Sequence, residues 1–224
     1  MTNLIICAVI VAAALVGFNG AAVTVSDYGD NVYYRGTRAG KVSLMFNVYG
    51  NTQNVYKILD VLDEYDASAT FFIGGCWADD NVSCLREIYS RGHELASHGY
   101  FHKDHAALTY EQNISEIEPS VRLIRMVCGA EVGLFAPPSG SFGQNTVNAC
   151  VKLGLKVIMW SKDTIDWRDK DEDVIFRRAT EQLTEGDFIL MHPEEATLCA
   201  LPKILGYIRN SGLAACTVSC SLGE

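Results

Sequence analysis

His98 and His102 stand four residues apart in Ser97-His-Gly-Tyr-Phe-His102. If that segment is helical, both imidazoles point to one side and can hold a single divalent metal. A catalytic zinc site takes a third protein ligand, and no carboxylate stands at a matching position. On spacing alone the pair reads as two ordinary polar histidines; its place after a strand, at a candidate barrel mouth, makes a metal site or its remnant an equal reading. Further along come Asp163-Thr-Ile-Asp166-Trp167, then Leu190-Met-His192, with the proline-rich turn Ala136-Pro-Pro-Ser-Gly140 before them. Taken singly, those aspartates read as helix caps or turn formers, and Trp167 as core. Upstream, Asn47-Val-Tyr49 ends an apolar run, and the Asn47 amide oxygen accepts hydrogen bonds without useful basicity.

The elements around these residues alternate. Val42–Phe46, Ala69–Ile73, His93–Ser97, Val132–Phe135, Leu155–Met159, Phe188–Met191 and Ala214–Val218 read as buried strands. Helical periodicity falls between them. Val55, Ile58, Leu59 and Leu62 mark one helix, and Ile114, Ile117, Val121 and Ile124 another, the latter behind a Thr109–Gln112 capping box. Ser83 is placed to cap a helix ending at Gly92, and Pro202 falls in the first turn of a helix over 198–210. Strands apolar on both faces and alternating with helices imply a parallel sheet. The expected fold is a single-domain α/β, a distorted or incompletely closed (β/α) barrel of about seven parallel strands. A doubly wound open sheet is the competing architecture. The segments 47–50, 98–105, 136–140, 160–167 and 192–193 each follow a strand, so a barrel would gather them on its C-terminal face.

The chain has 224 residues and a net charge of −9, without a basic stripe, which excludes nucleic acid as a partner. The apolar run Leu4–Phe18, followed by Gly20-Ala-Ala22, reads as a secretory signal peptide over 1–22, with an uncleaved anchor as the alternative. Residues 23–40 read as a polar N-terminal arm and 41–224 as the domain. The expectation is a secreted protein with no stable membrane span after cleavage. Of eight cysteines, Cys7 leaves with the signal and seven remain, an odd number that leaves at least one thiol free or intermolecular. Cys76 and Cys84 flank a short polar loop that a disulfide would close. The other pairings stay open, and several cysteines read equally as small buried residues. Asn81-Val-Ser83 and Asn113-Ile-Ser115 are glycosylation sequons.

From Lys41 to Leu222 the chain resembles the polysaccharide deacetylase family, which includes chitin and peptidoglycan deacetylases. The resemblance rests on the motifs above, in order, with Ala69-Thr-Phe-Phe-Ile-Gly74 and Arg91-Gly-His-Glu-Leu-Ala-Ser-His98. It implies a role for each position. The family's Thr-Phe-Asp-Asp-Gly motif places the catalytic base on Asn47 and the metal carboxylate on Val48 or Tyr49, none of them acidic. His98 and His102 match the metal histidines, with Gly99 in place of the family's hydroxyl residue. The Arg-x-Pro-Tyr motif falls on Ala136-Pro137-Pro138-Ser139 and loses both Arg and Tyr. The Ser139 N–H keeps the oxyanion-donor position beside Pro138. Asp163 and Asp166 take the place of the residues that orient the catalytic histidine, Trp167 walls the sugar pocket, and His192 is the general acid.

Two readings follow from the resemblance. In one, the chain is a deacetylase fold of the cell or spore wall that has lost most metal-dependent turnover and retains glycan binding. It would then need no cofactor, with zinc or another divalent metal held weakly at His98 and His102 if at all. In the other, it is an active chitin or chitooligosaccharide deacetylase with a non-standard base recruited from Glu94, Asp104 or Asp163. In both, the partner is chitin or another polysaccharide containing N-acetylglucosamine. Loss of the base alone typically costs ~10²–10⁴ in rate. The joint loss of base, metal carboxylate, Arg and Tyr favours the first.

Overall fold

Strand β2, Lys41–Val48, sets the architecture. The computed structural model describes residues 31–224, so the signal peptide expected over 1–22 and residues 23–30 of the expected arm lie outside the described residues. β2 is buried almost end to end and pairs on one side with β3, Thr70–Ile73. Its other side pairs with β8, Phe188–Met191, while β9, Ala214–Cys216, pairs with the start of β2 on the same side as β3. The sheet continues through β4 (Glu94–Ser97), β5 (Leu134–Phe135) and β6 (Lys156–Ile158) to β1 (Val32–Tyr33). Beyond β8 lies β7, Lys162–Asp163. All these pairings are parallel. The result is a curled half-barrel in one domain. Its seven main strands are those read from the sequence, with the short β1 and β7 added at the edges.

Alternation along the strands divides the apolar residues into two cores. Leu44, Phe46, Val48, Phe71 and Ile73 face outward to the helices and join the large core. Met45, Phe72, Ala96, Leu134, Ile158, Phe188 and Leu190 face inward and fill the barrel. The inward parity carried past the strand ends reaches Asn47, His98, Ala136 and His192. The packed interior is therefore the floor on which the chemical residues stand.

The outer layer is formed by α1 (Thr52–Glu64), α2 (Gly75–Asp80), α3 (Val82–Ser90), α4 (Tyr110–Cys128), α5 (Gln144–Leu153), α6 (Asp166–Asp169), α7 (Glu172–Thr180) and α8 (Glu195–Asn210), with α9 (Val218–Leu222) at the C-terminus. Val55, Ile58, Leu59 and Leu62 are fully buried, and the Thr109–Gln112 capping box is present. Ser83 does not cap: α3 begins at Val82, after Asn81. Pro202 lies inside α8, which starts at Glu195, rather than in its first turn. Among the described residues no helix is long and apolar enough to cross a membrane.

The arm is built into the barrel from residue 31 onward. β1 pairs with β6, the Gly36 N–H donates to Gly186 O at 2.8 Å, and Arg35 pairs with buried Asp187 at 2.8 Å. This stretch therefore spans from β6 to the start of β8, across the opening of the half-barrel. The expected Cys76–Cys84 bridge is not formed: the seven described cysteines are free thiols, and Cys76 Sγ donates to Tyr49 Oη at 3.0 Å. Cys84 and Cys150 are buried as small apolar residues. Asn113 is fully buried, and its Nδ2 donates to the carbonyls of His105, Leu108 and Thr109, which leaves no room for a glycan.

Candidate functional site

His98 is the first residue past β4. Its Nδ1 lies 2.8 Å from Ala136 O at the end of β5. A carbonyl only accepts, so Nδ1 carries the proton and Nε2 keeps its lone pair. Burial, with His102 next in weight, pushes this imidazole down to about 3, so it is neutral at physiological pH. His102 lies with its ring centroid 5.1 Å from that of His98. The two do not share a helix, contrary to the geometry their spacing suggested. Residues 98–102 form a loop in which Gly99 (φ 75) and His102 (φ 56) are left-handed, and this fold-back brings the rings together.

Glu116 holds that loop. It lies on the inward stripe of α4, only 3% exposed, and accepts the Phe101 N–H at 2.5 Å. The Gly99 N–H donates to Ser97 Oγ at 3.2 Å, and Ser97 in turn bonds Ser120 of α4. Glu116 escaped the sequence reading because it lies fifteen positions from its partner. Its signal was placement: Asn113, Glu116, Ile117, Ser120, Val121 and Ile124 form one buried stripe at helical spacing.

Asn47 sits in the barrel mouth, 4% exposed, and its Oδ1 has no hydrogen-bond partner. Val48 is fully buried on the opposite parity, in the core beneath the helices. Tyr49 turns back to the histidines, its ring centroid 4.9 Å from that of His102. Of the two positions that the resemblance offers for a metal carboxylate, Tyr49 is the one that faces His102. The ring fits because Gly74 has no side chain: a Cβ there would lie 2.4 Å from Tyr49. The hydrogen bond with Cys76, then burial, pushes the Tyr49 phenol up to about 12.

The donor set does not fit a resident divalent metal. Two imidazoles are present, the third position is a tyrosine engaged with Cys76, and among the described residues no three His, Cys, Asp or Glu side chains group closely enough to hold an ion.

Asp166 and His192 form a buried, hydrogen-bonded pair. Asp166 is fully buried; its Oδ1 lies 2.7 Å from His192 Nδ1 and accepts the Trp167 N–H at 2.9 Å. Its Oδ2 accepts the His192 N–H and Thr197 Oγ1, both at 2.6 Å. His192 therefore donates through Nδ1 and holds Nε2 free. Asp163 does not join them: its Oδ1 accepts the Ile165 N–H at 2.9 Å and shapes its own turn. Trp167 is 56% exposed and Phe101 58%, large apolar surfaces beside the two halves of the site.

The turn at Pro138–Gly140 is closed by Gly140 and Ser141 N–H groups donating to Pro137 and Pro138 carbonyls, each at 3.0 Å. Ser139 within it is left-handed, φ 54. Ser141 reaches across to Asp104, tying this turn to the loop after His102. Glu94 lies at the foot of β4, where it accepts Thr70 Oγ1 and the Ser219 N–H, at the opposite end of the strand from Asn47's level. It cannot serve as a substitute base.

The polysaccharide deacetylase family model matches residues 34–158, more than half of the chain. Chitooligosaccharide deacetylase of Sinorhizobium fredii is 32% identical over 201 residues, 83% of this chain and 94% of that protein. The uncharacterized protein YlxY of Bacillus subtilis is 32% identical over 183 residues, 82% of this chain, although the chain spans only 57% of YlxY's length. Among solved structures, wild-type BA3943 of Bacillus anthracis, described as a CE4 family pseudoenzyme, superposes with a TM-score of 0.83 at 30% identity, covering 85% of this chain and 68% of that one. A mutant of BA3943 described as having restored enzymatic activity matches with the same TM-score at 28% identity, covering 85% of this chain and 71% of that one. With this fold, this order of motifs and these matches, the chain belongs to the polysaccharide deacetylase family, carbohydrate esterase family 4.

Proposed function

We propose that this chain is a secreted glycan-binding member of its family that has lost metal-dependent N-deacetylation. One observation carries the reading: Asn47, at the position that the family's motif gives to the base, presents a buried amide oxygen without a partner. An amide cannot take a proton from water at neutral pH. The second loss is the metal carboxylate, since Tyr49 packs on His102 in its stead. Without a held metal, the Lewis-acid and water-activating contribution is absent as well.

The Asp166–His192 pair can still hold a proton at His192 Nε2, and that alone does not generate a nucleophile. Glu116, the buried carboxylate nearest the histidine loop, is committed to the Phe101 amide. What remains suits recognition. Trp167 and Phe101 offer exposed aromatic faces, and sugar rings pack on such surfaces through their C–H faces. The names of the relatives point to chitooligosaccharide and peptidoglycan as glycan classes. A polymer of N-acetylglucosamine, in a cell or spore wall, is the ligand we assign. The apolar run at 4–18 supports export.

The test is calorimetric titration of the protein with acetylated chitooligosaccharides, with acetate assayed in the same cell. Binding without acetate, weakened at least tenfold in Trp167→Ala, is the expected result. Acetate release that requires zinc or cobalt would overturn it, and so would the absence of any glycan binding.

A further inference from the structure

Helix α9 plugs the lower end of the half-barrel. Val218 is buried in the inner core, and its N–H donates to Thr70 Oγ1 at 2.8 Å. Ser221 O accepts the N–H groups of Thr37 at 2.9 Å and Arg38 at 3.0 Å, so the N-terminal arm is anchored on the same plug. Two cysteines bracket the junction between β9 and this helix. Cys216 closes β9, buried, with Sγ 4.0 Å from Ser43 Oγ. Cys220 lies in the third position of α9, half-buried, its N–H on Thr217 Oγ1 and its Sγ accepting from Arg38 at 3.3 Å. The two residues lie four apart across the turn that Thr217 caps, at the same junction of sheet and helix. Three of the other described thiols have partners of their own. Cys76 is turned to Tyr49, Cys84 to Tyr56 and Cys128 to the Leu85 carbonyl.

We propose that Cys216 and Cys220 are a disulfide-forming pair that staples the C-terminal plug to the sheet. Burial, then the contact with Cys220, pushes the Cys216 thiol up to about 11, which makes it the resolving partner. Cys220 is the accessible sulfur, and the Arg38 guanidinium stabilises the negative charge that builds on it during exchange. With a small disulfide as oxidant, Cys220 attacks one sulfur, forms a mixed disulfide and releases one small thiol. Cys216 gives up its proton, attacks Cys220 Sγ and releases the second thiol. Two protein thiols are oxidised and one small disulfide is reduced to two thiols, so electrons and protons balance.

The test uses the full chain, reduced and then exposed to excess oxidised glutathione, quenched in acid, alkylated and cleaved with trypsin. Cleavage after Arg209 releases residues 210–224, which hold both cysteines. The expected peptide carries no alkyl group, weighs two hydrogens less than its reduced form, and takes two alkyl groups after reduction. In Cys216→Ser, Cys220 should be trapped as the glutathione adduct. In Cys220→Ser, which leaves the buried thiol in place, Cys216 should stay reduced. Exposed Cys199 reports that the oxidant acted. If Cys199 is modified while both thiols of the 210–224 peptide are alkylated, or if Cys220 is linked to a different cysteine, the pairing is wrong.

Discussion

Asp166 accepts both the backbone N–H of His192, at 2.6 Å, and lies 2.7 Å from the Nδ1 of the same residue. One buried carboxylate thus fixes the backbone and the tautomer of one imidazole. Nothing comparable serves Asn47, whose Oδ1 has no partner. On the proposed reading, these are the acid position, still supported, and the base position, left without support.

Asp166→Asn keeps the shape and removes the charge. Asp166 accepts four hydrogen bonds, from His192 N–H and Nδ1, Thr197 and Trp167, and an amide nitrogen can accept none of those on its side. Leaving two buried donors without their acceptor should cost about 3 kcal/mol. A urea titration should show this as a lower midpoint with unchanged slope.

Glu116→Ala should loosen the histidine loop while leaving the barrel folded. The Phe101 N–H loses its acceptor, so its hydrogen exchange should accelerate by at least tenfold, with β4 amides unaffected. Equal acceleration throughout β4 would show instead that Glu116 supports the whole strand.

His93, at the foot of β4, is buried against Phe71 with neither ring nitrogen partnered. Burial lowers its pKa below the ordinary 6.5. The unfolded chain therefore binds this proton first, and the contribution of His93 to stability declines as pH falls below about 6.5. Above that pH the imidazole is neutral in both states and makes no pH-dependent contribution. His93→Phe should flatten this part of the acid limb and raise stability at pH 7 by about 1 kcal/mol, because two unpaired buried nitrogens are removed. Urea midpoints of both proteins from pH 5 to 8 check it.

Restoring the lost carboxylates should require two substitutions. Asn47→Asp replaces the unpartnered amide by a base, and Tyr49→Asp replaces the aromatic ring beside His102 by a third ligand. Zinc bound after dialysis should approach one per chain in proteins that carry Tyr49→Asp, and acetate release should need both changes. A Val48→Asp variant should fail, since that side chain points into the core. Zinc binding by Val48→Asp would show that the motif register is wrong.

Much of this was legible in the sequence because burial imposes a period of two on strands. The inward parity of Met45, Phe188 and Leu190 leads directly to Asn47 and His192. The loss of acidity at 47–49 needed no structure. The HxxxH spacing at 98–102 would suit a helix, while Gly99 and a left-handed His102 reach the same juxtaposition through a loop, which spacing alone does not reveal. Strand β1 was missed because two residues in a polar stretch carry no period, and α2 because six residues beginning with glycine carry little more. Asp163 and Asp166 look alike in the chain; only the fold shows one closing a turn and the other gripping His192.

The most direct measurement is acetate release from acetylated chitooligosaccharides by the native chain, supplied with zinc or cobalt and compared with a chelated control. We expect no release above the control. Chelator-sensitive release at the rate of active family members would contradict the reading and show that a carboxylate other than those at 47–49 completes the site.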